Sequence, residues 1–288
     1  MLTRIGVHVS IAGAIYKAVG RAVERNCDTF QIFTRNPRGW RIKPLTENYA
    51  NTFVEEVAKT GIGPVVAHMP YLPNLASPRR SVYKKSLDTL IIELQRCGNL
   101  KIPYLVTHLG SHTGSGYDAG LRRILDAMDT ALTKVDNETT LLLENSAGTR
   151  NSMCSTFEEI RVIIDGLEHH KKRIGVCFDT CHAFAAGYDL RNDDAVRNTL
   201  ERLDRLVGIA TLRVLHANDS KGDLNSKLDR HEHIGLGKIG ETGFRAMLHD
   251  KNLRELPFIM ETPIDEIRND FENIRILRRL AEDSNTRA

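Results

Sequence analysis

The sequence lacks any long hydrophobic run, because no stretch reaches the roughly 18 consecutive apolar residues that a membrane helix needs. Its five cysteines are an odd number without a CxxC pair, which is typical of a reduced, intracellular protein. The sequence also lacks an excess of charge of either sign, because 40 Lys and Arg nearly balance 37 Asp and Glu. Any basic surface could therefore only be local. No charged and apolar leader follows Met1, and we expect a cytoplasmic protein without membrane contact.

Short apolar runs alternate with helix-periodic segments eight times. The runs are typical of buried strands and lie at 4–9, 29–33, 64–67, 102–107, 139–143, 173–178, 211–215 and 256–260. The predicted helices lie at 13–26, 46–60, 81–99, 117–135, 156–170, 193–207, 242–252 and 265–282. No linker interrupts this alternation, which predicts one (β/α)8 TIM barrel over residues 1–288. An open doubly wound sheet would normally carry a glycine-rich phosphate loop after its first strand, and Ser10–Ala14 is not one.

Six of the eight predicted strands end in a residue type that can bind a metal. The six are His68, His108, Glu144, Asp179, His216 and Glu261. In a barrel the carboxyl ends of all strands meet on one face, where this fold carries its chemistry. One polar strand end is more often a solvated terminus than a ligand, but three imidazoles and three carboxylates in one mouth are costly to hold without a cation. The sequence therefore predicts a multinuclear site suited to Zn²⁺, with Mn²⁺ or Fe²⁺ as alternatives.

Further candidate ligands lie beyond these strand ends. His182 follows Asp179 by three residues, at the same mouth. After the seventh strand, a period of two places Asp229, His231 and His233 on one side of an extended segment. Together with His182, Asp229 and His231 would form a three-ligand set with an open position for water or substrate. On the sequence alone, His233 could take the place of His231.

The motifs around these residues form a specific set. They are GVHVSIAG (6–13), QIFTRNPRGW (31–40), THLGSHTG (107–114), LLLENSAG (141–148), CFDTCHAFAAGYD (177–189), HANDSKGDLNSKLDRHEHIGLGKIG (216–240) and MET (260–262). Together they resemble, nearly end to end, the endonuclease IV family of apurinic/apyrimidinic (AP) endonucleases in DNA base-excision repair. The resemblance implies a (β/α)8 barrel with three clustered Zn²⁺ ions, acting on double-stranded DNA with abasic or 3′-blocked sites.

The resemblance also implies which residues bind each ion. The first ion would take His68, His108 and Glu144. The second would share Glu144 and add Asp179, His216 and Glu261. The third would take His182, Asp229 and His231. His231 is thereby preferred to His233, and all nine ligand positions are present.

The implied reaction is hydrolysis of the phosphodiester 5′ to an abasic sugar, which yields a 3′-hydroxyl and a 5′-deoxyribose phosphate. Clustered divalent ions suit such a reaction because they activate water and stabilise charge on the phosphoryl group. We expect in-line attack by hydroxide, with Glu144 holding the bridged pair of ions and Glu261 orienting or deprotonating the water. Trimming of blocked 3′ ends is implied as a second activity.

The densest basic run that contains an aromatic residue is 35–43, which holds four cations and the only tryptophan, Trp40. This composition favours contact with phosphates. The resemblance implies a loop in the DNA minor groove that binds DNA through Asn36, Arg38 and Trp40, with Asn36 and Arg38 close to the lesion.

A second candidate for DNA contact is the proline-flanked loop 69–75, which carries Tyr71 and Leu72. These side chains either pack the loop or act as a wedge in the base stack of bent DNA. An abasic nucleotide has no base to unstack, so opening the duplex there costs less and provides selectivity.

Two other function classes fit part of the pattern. A sugar isomerase or epimerase on the related metal barrel needs fewer ligands and no basic loop around Trp40. A DNA-damage-binding protein with a silent site would not need nine intact ligands. Residues 149–154 depart from the family's usual turn, which leaves the preference among lesions open. Nothing in the sequence demands more than a monomer.

Overall fold

Strands and helices alternate along residues 3–283, the part of the chain that the structure, a computed structural model, describes. The strands are β1 (Arg4–Val7), β2 (Phe30–Phe33), β3 (Val65–His68), β4 (Tyr104–Thr107), β5 (Thr140–Glu144), β6 (Ile174–Asp179), β7 (Leu212–His216), β8 (Asp219–Ser220), β9 (His231–Glu232) and β10 (Pro257–Met260). The α-helices are α1 (Lys17–Glu24), α2 (Glu47–Thr60), α3 (Arg80–Asn99), α4 (Tyr117–Lys134), α5 (Phe157–Gly166), α6 (Thr180–Ala186), α7 (Asp193–Leu206), α8 (Gly240–His249) and α9 (Asp270–Glu282). Two 3₁₀ helices span Glu168–Arg173 and Ile209–Thr211.

Eight of these strands form one parallel sheet, in the order β1-β10-β7-β6-β5-β4-β3-β2. The sheet closes between β1 and β2 through a parallel bridge from His8 to Gln31, where the Val9 amide donates to the Gln31 carbonyl at 2.8 Å. The predicted TIM barrel is confirmed, and each predicted strand overlaps one strand of the barrel. The two short strands β8 and β9 pair with each other, antiparallel, outside it.

The interior of the barrel is filled by a layer of buried apolar side chains, one from each of six strands. They are Val66, Val106, Leu142, Cys177, Val214 and Ile259. Each of the six predicted strand-end ligands lies two residues after one of them. Because side chains alternate across a strand, a step of two keeps the same side, and all six ligands extend the interior layer towards the carboxyl-end mouth.

One helix was not expected from the sequence, because the predicted helices leave residues 179–187 outside. Instead α6 begins directly after β6, with Asp179 as its N-cap: Oδ1 accepts a hydrogen bond from the His182 amide at 2.7 Å. The helix ends at Ala186 and is capped by Gly187, whose φ of 111° suits glycine. This tight turn brings His182 back over the barrel mouth beside Asp179.

The predicted helix 156–170 is also shorter than expected. The α-helix ends at Gly166, and Glu168–Arg173 continues as a 3₁₀ helix that leads into β6. No helix within residues 3–283 combines the length and apolar character that crossing a membrane requires.

The close approach of β1 to the chain before β2 requires glycine at position 6. A Cβ added to Gly6 would lie 1.7 Å from the Thr29 carbonyl oxygen, which belongs to the backbone and cannot turn away. We expect Gly6→Ala to lower the free energy of unfolding by roughly 3 kcal/mol, as overpacking does, in chemical denaturation. The control is Gly20→Ala in α1, where a Cβ meets nothing within 4 Å; it should raise stability by about 0.5–1 kcal/mol. Equal stability of Gly6→Ala and the unmodified protein would contradict the close approach.

Candidate metal centre

The carboxylate of Glu144, at the end of β5, is buried in the centre of the barrel mouth. Its Oε2 is 3.0 Å from Nε2 of His68 and 3.3 Å from Nε2 of His108. In this first group the candidate ligand atoms all lie within 4.8 Å of one another. His68 is buried, whereas the His108 side chain is 42% exposed, so the group opens towards solvent on the side of β4.

A second group shares Glu144 and surrounds His216 at the end of β7. Nδ1 of His216 is 3.1 Å from Oε1 of Glu144, 3.6 Å from Oε2 of Glu261 and 3.8 Å from Oδ2 of Asp179. The candidate ligand atoms of these four residues again all lie within 4.8 Å of one another. Three carboxylates therefore meet around one imidazole at the deepest point of the mouth.

A third group stands further out. Oδ1 of Asp229 is 3.2 Å from Nε2 of His182 and 3.6 Å from Nε2 of His231. The Asp229 side chain is half-exposed, which leaves this group accessible from solvent. The nine predicted ligands thus come together in the three predicted sets; that they bind metal stays a prediction.

His233 does not join the third group, so the expectation that it shares a side with Asp229 and His231 is wrong. Its Nε2 lies 3.0 Å from Oδ1 of Asp265, and the Asn273 amide lies 3.0 Å from its Nδ1. The two-residue strand β9 ends at Glu232 and the chain turns, which breaks the period of two. The structure therefore brings His231 to the site and holds His233 in contacts with Asp265 and Asn273.

Four of the imidazoles are oriented by a hydrogen bond to an oxygen that can only accept. These contacts join His68 Nδ1 to the Met69 carbonyl (2.7 Å), His216 Nε2 to Oε1 of Gln31 (2.8 Å), His182 Nδ1 to the Asn145 carbonyl (2.9 Å) and His231 Nδ1 to the Glu261 carbonyl (3.0 Å). In each neutral ring the proton belongs on the nitrogen that donates, and the other nitrogen, which faces the carboxylates, is the one available to a cation. This arrangement is the one that supports histidine ligands of metals, so the residues present fit divalent cations.

The electrostatics of the mouth agree with that fit. Burial alone would raise the pKa of Glu144, but His108 and His216 outweigh it and hold that pKa well below its usual range. Burial also acts to lower the pKa of His182, whereas Asp179 and Asp229 raise it to about 10. The carboxylate of Glu144 is thus ionised, and its buried charge requires positive charge nearby, on an imidazolium or on a cation.

The two cysteines that flank Asp179 are buried thiols. Burial raises the pKa of both Cys177 and Cys181 to about 12. Cys177 belongs to the apolar layer inside the barrel, and Sγ of Cys181 donates to the Arg230 carbonyl at 3.6 Å, although Cys181 also lies close to Asp179 and His231.

Three amides that support the ligands were not found from the sequence. Gln31 donates from Nε2 to Oε1 of Glu261 at 2.6 Å, and Asn218 donates from Nδ2 to Oδ2 of Asp179 at 2.7 Å. Oδ1 of Asn145 accepts the Asp179 amide at 2.8 Å. Asn145 and Asn218 lie one and two residues after a strand-end ligand, a signal that the sequence offered.

The segment that carries Asp229 and His231 is organised by another residue that the sequence analysis missed, Asp219. This buried carboxylate accepts backbone hydrogen bonds from Gly235 (2.9 Å), Gly237 (3.0 Å) and Ile239 (3.0 Å). The adjacent β8–β9 pairing joins Ser220 to His231. Asp219 thus fixes both ends of the loop that supplies the third group.

The basic loop 35–43 is less cationic at its surface than its sequence indicates. Arg35 is buried and its Nε lies 2.8 Å from Oε1 of Glu93 in α3, so the expectation of four phosphate-binding cations is wrong at this residue. Its Nη1 donates to the Gly39 carbonyl at 3.0 Å, which braces the loop from within. Arg38, Arg41 and Lys43 remain exposed.

The other predicted DNA contacts lie at the rim of the mouth or on the same loop. Asn36 is exposed, and Trp40 is half-buried with Nζ of Lys85 5.6 Å from its ring centroid. Tyr71 is 63% and Leu72 39% exposed, although the Tyr71 ring also packs edge-on against Phe33 at 5.0 Å.

One cleft connects this rim to the metal-binding groups. Its volume is about 410 Å³, and Tyr71 lines it together with His108, Asp229 and Glu261. The atypical segment 149–154 borders a neighbouring cavity, where Ser152 pairs with Ser111 and Leu72 also contributes. A ligand held by Tyr71 and Leu72 would therefore lie beside the candidate metal centre.

Comparison with known proteins identifies the family. The family model described as a xylose isomerase-like TIM barrel matches residues 19–282. A probable endonuclease 4 of Methanoculleus marisnigri is 54% identical over 278 residues, 96% of this chain and 98% of the relative. A second probable endonuclease 4, from Nitrosopumilus maritimus, is 50% identical over 280 residues, which cover 96% of this chain and 100% of the relative. The chain belongs to the endonuclease IV family.

The structural comparison agrees. The crystal structure of endonuclease IV from Thermus thermophilus superposes with a TM-score of 0.87 at 35% identity and covers 98% of this chain and 100% of that one. The resemblance found in the sequence is thus confirmed, and the chain is a nuclease of the hydrolase class. A D-tagatose 3-epimerase-like protein also superposes, with a TM-score of 0.73 at 20% identity over 97% of both chains, which shows a shared fold alone.

Asp219 allows the organisation of the third group to be tested. We expect Asp219→Asn to lower stability by about 1–3 kcal/mol, because an amide NH₂ would face backbone N–H donors. The loop that holds Asp229 and His231 should loosen, so the variant should also bind less zinc, measured by elemental analysis after dialysis.

The matched control is Asp223→Asn, since Asp223 is 84% exposed and 3.7 Å from Lys238. That variant should match the unmodified protein in both measurements. Full zinc content in a folded Asp219→Asn variant would show that this carboxylate does not position the ligands.

Proposed function

We propose that this member of the endonuclease IV family hydrolyses the phosphodiester 5′ to an abasic site in double-stranded DNA. The products are a 3′-hydroxyl and a 5′-deoxyribose phosphate, and trimming of blocked 3′ ends is a second activity of the same site. The observation that carries the proposal is the adjacency, in one cleft, of three metal-ligand groups and the exposed side chain of Tyr71. The family relatives, which are endonucleases, support it.

Three Zn²⁺ ions fit the three groups, with Mn²⁺ or Fe²⁺ as alternatives. Bound there, such ions supply a lowered pKa for water and positive charge for the phosphoryl oxygens. The two oxygens of Glu144 face different groups, His68 and His108 on one side and His216 on the other, so this residue would join the first two sets.

Glu261 is the group proposed to orient the attacking water and accept its proton. Gln31 holds Oε1 of Glu261 at 2.6 Å, and Nδ1 of His8 lies 3.6 Å from the same oxygen. Oε2 faces His216, so the carboxylate has a fixed orientation at the cleft wall. A proton acceptor held in this way needs no rearrangement before reaction.

The DNA is held by the rim of the cleft. Arg38 and Asn36 are exposed on the 35–43 loop and would contact the backbone beside the lesion. Trp40, half-buried near Lys85, would keep that loop in shape. Tyr71 and Leu72 would enter the base stack, where the missing base lowers the cost of opening. The sugar-phosphate thus displaced would face His108 and Asp229.

The proposal is tested by incision of a duplex that carries one abasic-site analogue. We expect a single cut immediately 5′ to the analogue, lost in proportion to zinc after prolonged chelation and restored when zinc is added back. Labelled strands resolve the cut position, and elemental analysis of the same sample gives the metal content. The same duplex without the analogue is the substrate control.

A fully metallated protein that leaves the abasic duplex intact would overturn the proposal, and turnover of a ketose by that sample would favour the epimerase alternative. As a variant control, Glu261→Gln should lower the incision rate at least about 10²-fold. Glu255→Gln, at an exposed position before β10, should leave the rate unchanged.

Tyr71 gives a test of lesion recognition that is separate from chemistry. Tyr71→Ala should weaken binding of the abasic duplex by about 1–3 kcal/mol, because stacking on the exposed bases is lost, and should leave zinc content unchanged. Fluorescence anisotropy with abasic and intact duplexes measures the effect. The control is Val162→Ala, an exposed apolar residue of α5 (44%). A Tyr71→Ala variant with unaltered preference for the abasic duplex would argue against the wedge.

A further inference from the structure

A second cluster of metal-ligand side chains lies away from the barrel mouth, where α4 meets the 3₁₀ helix Glu168–Arg173. Oδ1 of Asp129 is 2.6 Å from Nε2 of His169 and 3.2 Å from Nε2 of His170. The three candidate ligand atoms lie within 4.8 Å of one another. Two imidazole nitrogens and one carboxylate therefore converge from two different elements on one point.

The scaffold around this cluster holds it in place. Nη1 of Arg173 donates to the carbonyls of Leu132 (3.1 Å) and Val135 (2.6 Å), which ties the 3₁₀ helix to the end of α4. The His170 side chain is only 15% exposed, and its Nε2 is also 3.3 Å from the hydroxyl of Thr133, one turn beyond Asp129. His169 and Asp129 are 61% and 48% exposed, so an ion can reach the point from solvent.

The local charges permit a cation. The hydrogen bond from His169 lowers the pKa of Asp129, so its carboxylate is ionised. Lys171, in the same 3₁₀ helix as the two histidines, is paired with Glu168 and is to that extent neutralised. Two imidazoles and one carboxylate, with a fourth position open to water, are a donor set that suits Zn²⁺ and its neighbours Cu²⁺ and Ni²⁺ better than Mg²⁺ or Ca²⁺.

We propose that Asp129, His169 and His170 form a separate mononuclear site for a divalent transition-metal ion. The site precedes β6, whereas Asp179 ends that strand, so about 20 Å of extended chain separates it from the candidate metal centre. A bound ion links α4 to the 3₁₀ helix and stabilises the folded state. It takes no part in hydrolysis. The protein therefore binds one metal ion in addition to those held at the barrel mouth.

The test compares the zinc-loaded protein with a His169→Gln/His170→Gln variant by equilibrium dialysis against buffered Zn²⁺. The unmodified protein should bind one equivalent of zinc more than the variant. Once the barrel-mouth groups are saturated, further free Zn²⁺ should raise the Tm of the unmodified protein and leave that of the variant unchanged. Asp129→Asn alone should lower the affinity for the extra zinc ion by more than about tenfold, since even the outer partners of metal ligands have effects of that size.

Asp126→Asn is the matched control for Asp129→Asn, because Asp126 is exposed on the same helix, α4, and is not in the ligand set. This variant should still bind the extra equivalent of zinc. A chemical signature comes from one equivalent of Cu²⁺ added to the zinc-loaded protein, whose barrel-mouth groups are already filled. Its electron paramagnetic resonance spectrum should show two coordinating nitrogens in the unmodified protein and none from this site in the double variant. Equal metal binding by the protein and the double variant, or no nitrogen coordination, would overturn the proposal. Because incision should be the same in all these variants, failure here is distinguishable from failure of the proposed nuclease function.

Discussion

The structure of the barrel mouth depends on one buried charge, the carboxylate of Glu144. Its Oε2 faces His68 and His108, and its Oε1 faces His216 and, at 3.5 Å, His182. An ion removed from water in this way costs several kcal/mol unless charges of opposite sign surround it. The imidazoles from four different elements meet that need, and they can do so only if the strands close into a barrel in the observed register.

The fold and the convergence of the six strand-end residues were predictable because both follow from short-range pattern. Interior residues such as Val66 and Leu142 are each followed two positions later by a candidate ligand, His68 and Glu144. A period of two is a local property of any strand, and the convergence of strand ends is a property of the fold class. The apolar strand runs and the residues that follow them were enough to predict the barrel and the residues at its mouth.

What the sequence could not provide depends on contacts between distant segments. Whether Arg35 faces DNA or the core is decided by Glu93, on a helix 58 residues later, which no local pattern indicates. The choice between His231 and His233 depends likewise on Asp265 and on the turn after β9. The helix after Asp179 was missed because seven residues are too few for a helical period to show, and because its N-cap was taken only as a candidate ligand.

The internal position of Arg35 affects how strongly the proposed DNA binding would depend on salt concentration. Each phosphate neutralised by a cationic side chain releases condensed counterions, and log K changes with log salt concentration by about 0.9 per contact. With Arg35 bound to Glu93, three exposed cations remain on the 35–43 loop, Arg38, Arg41 and Lys43. In the proposed complex with DNA, this loop would therefore contribute a slope of at most about 2.7, where four free cations would give about 3.6. The Arg35–Glu93 ion pair gives the loop a defined shape in place of one phosphate contact, and it would make the proposed DNA binding less sensitive to ionic strength.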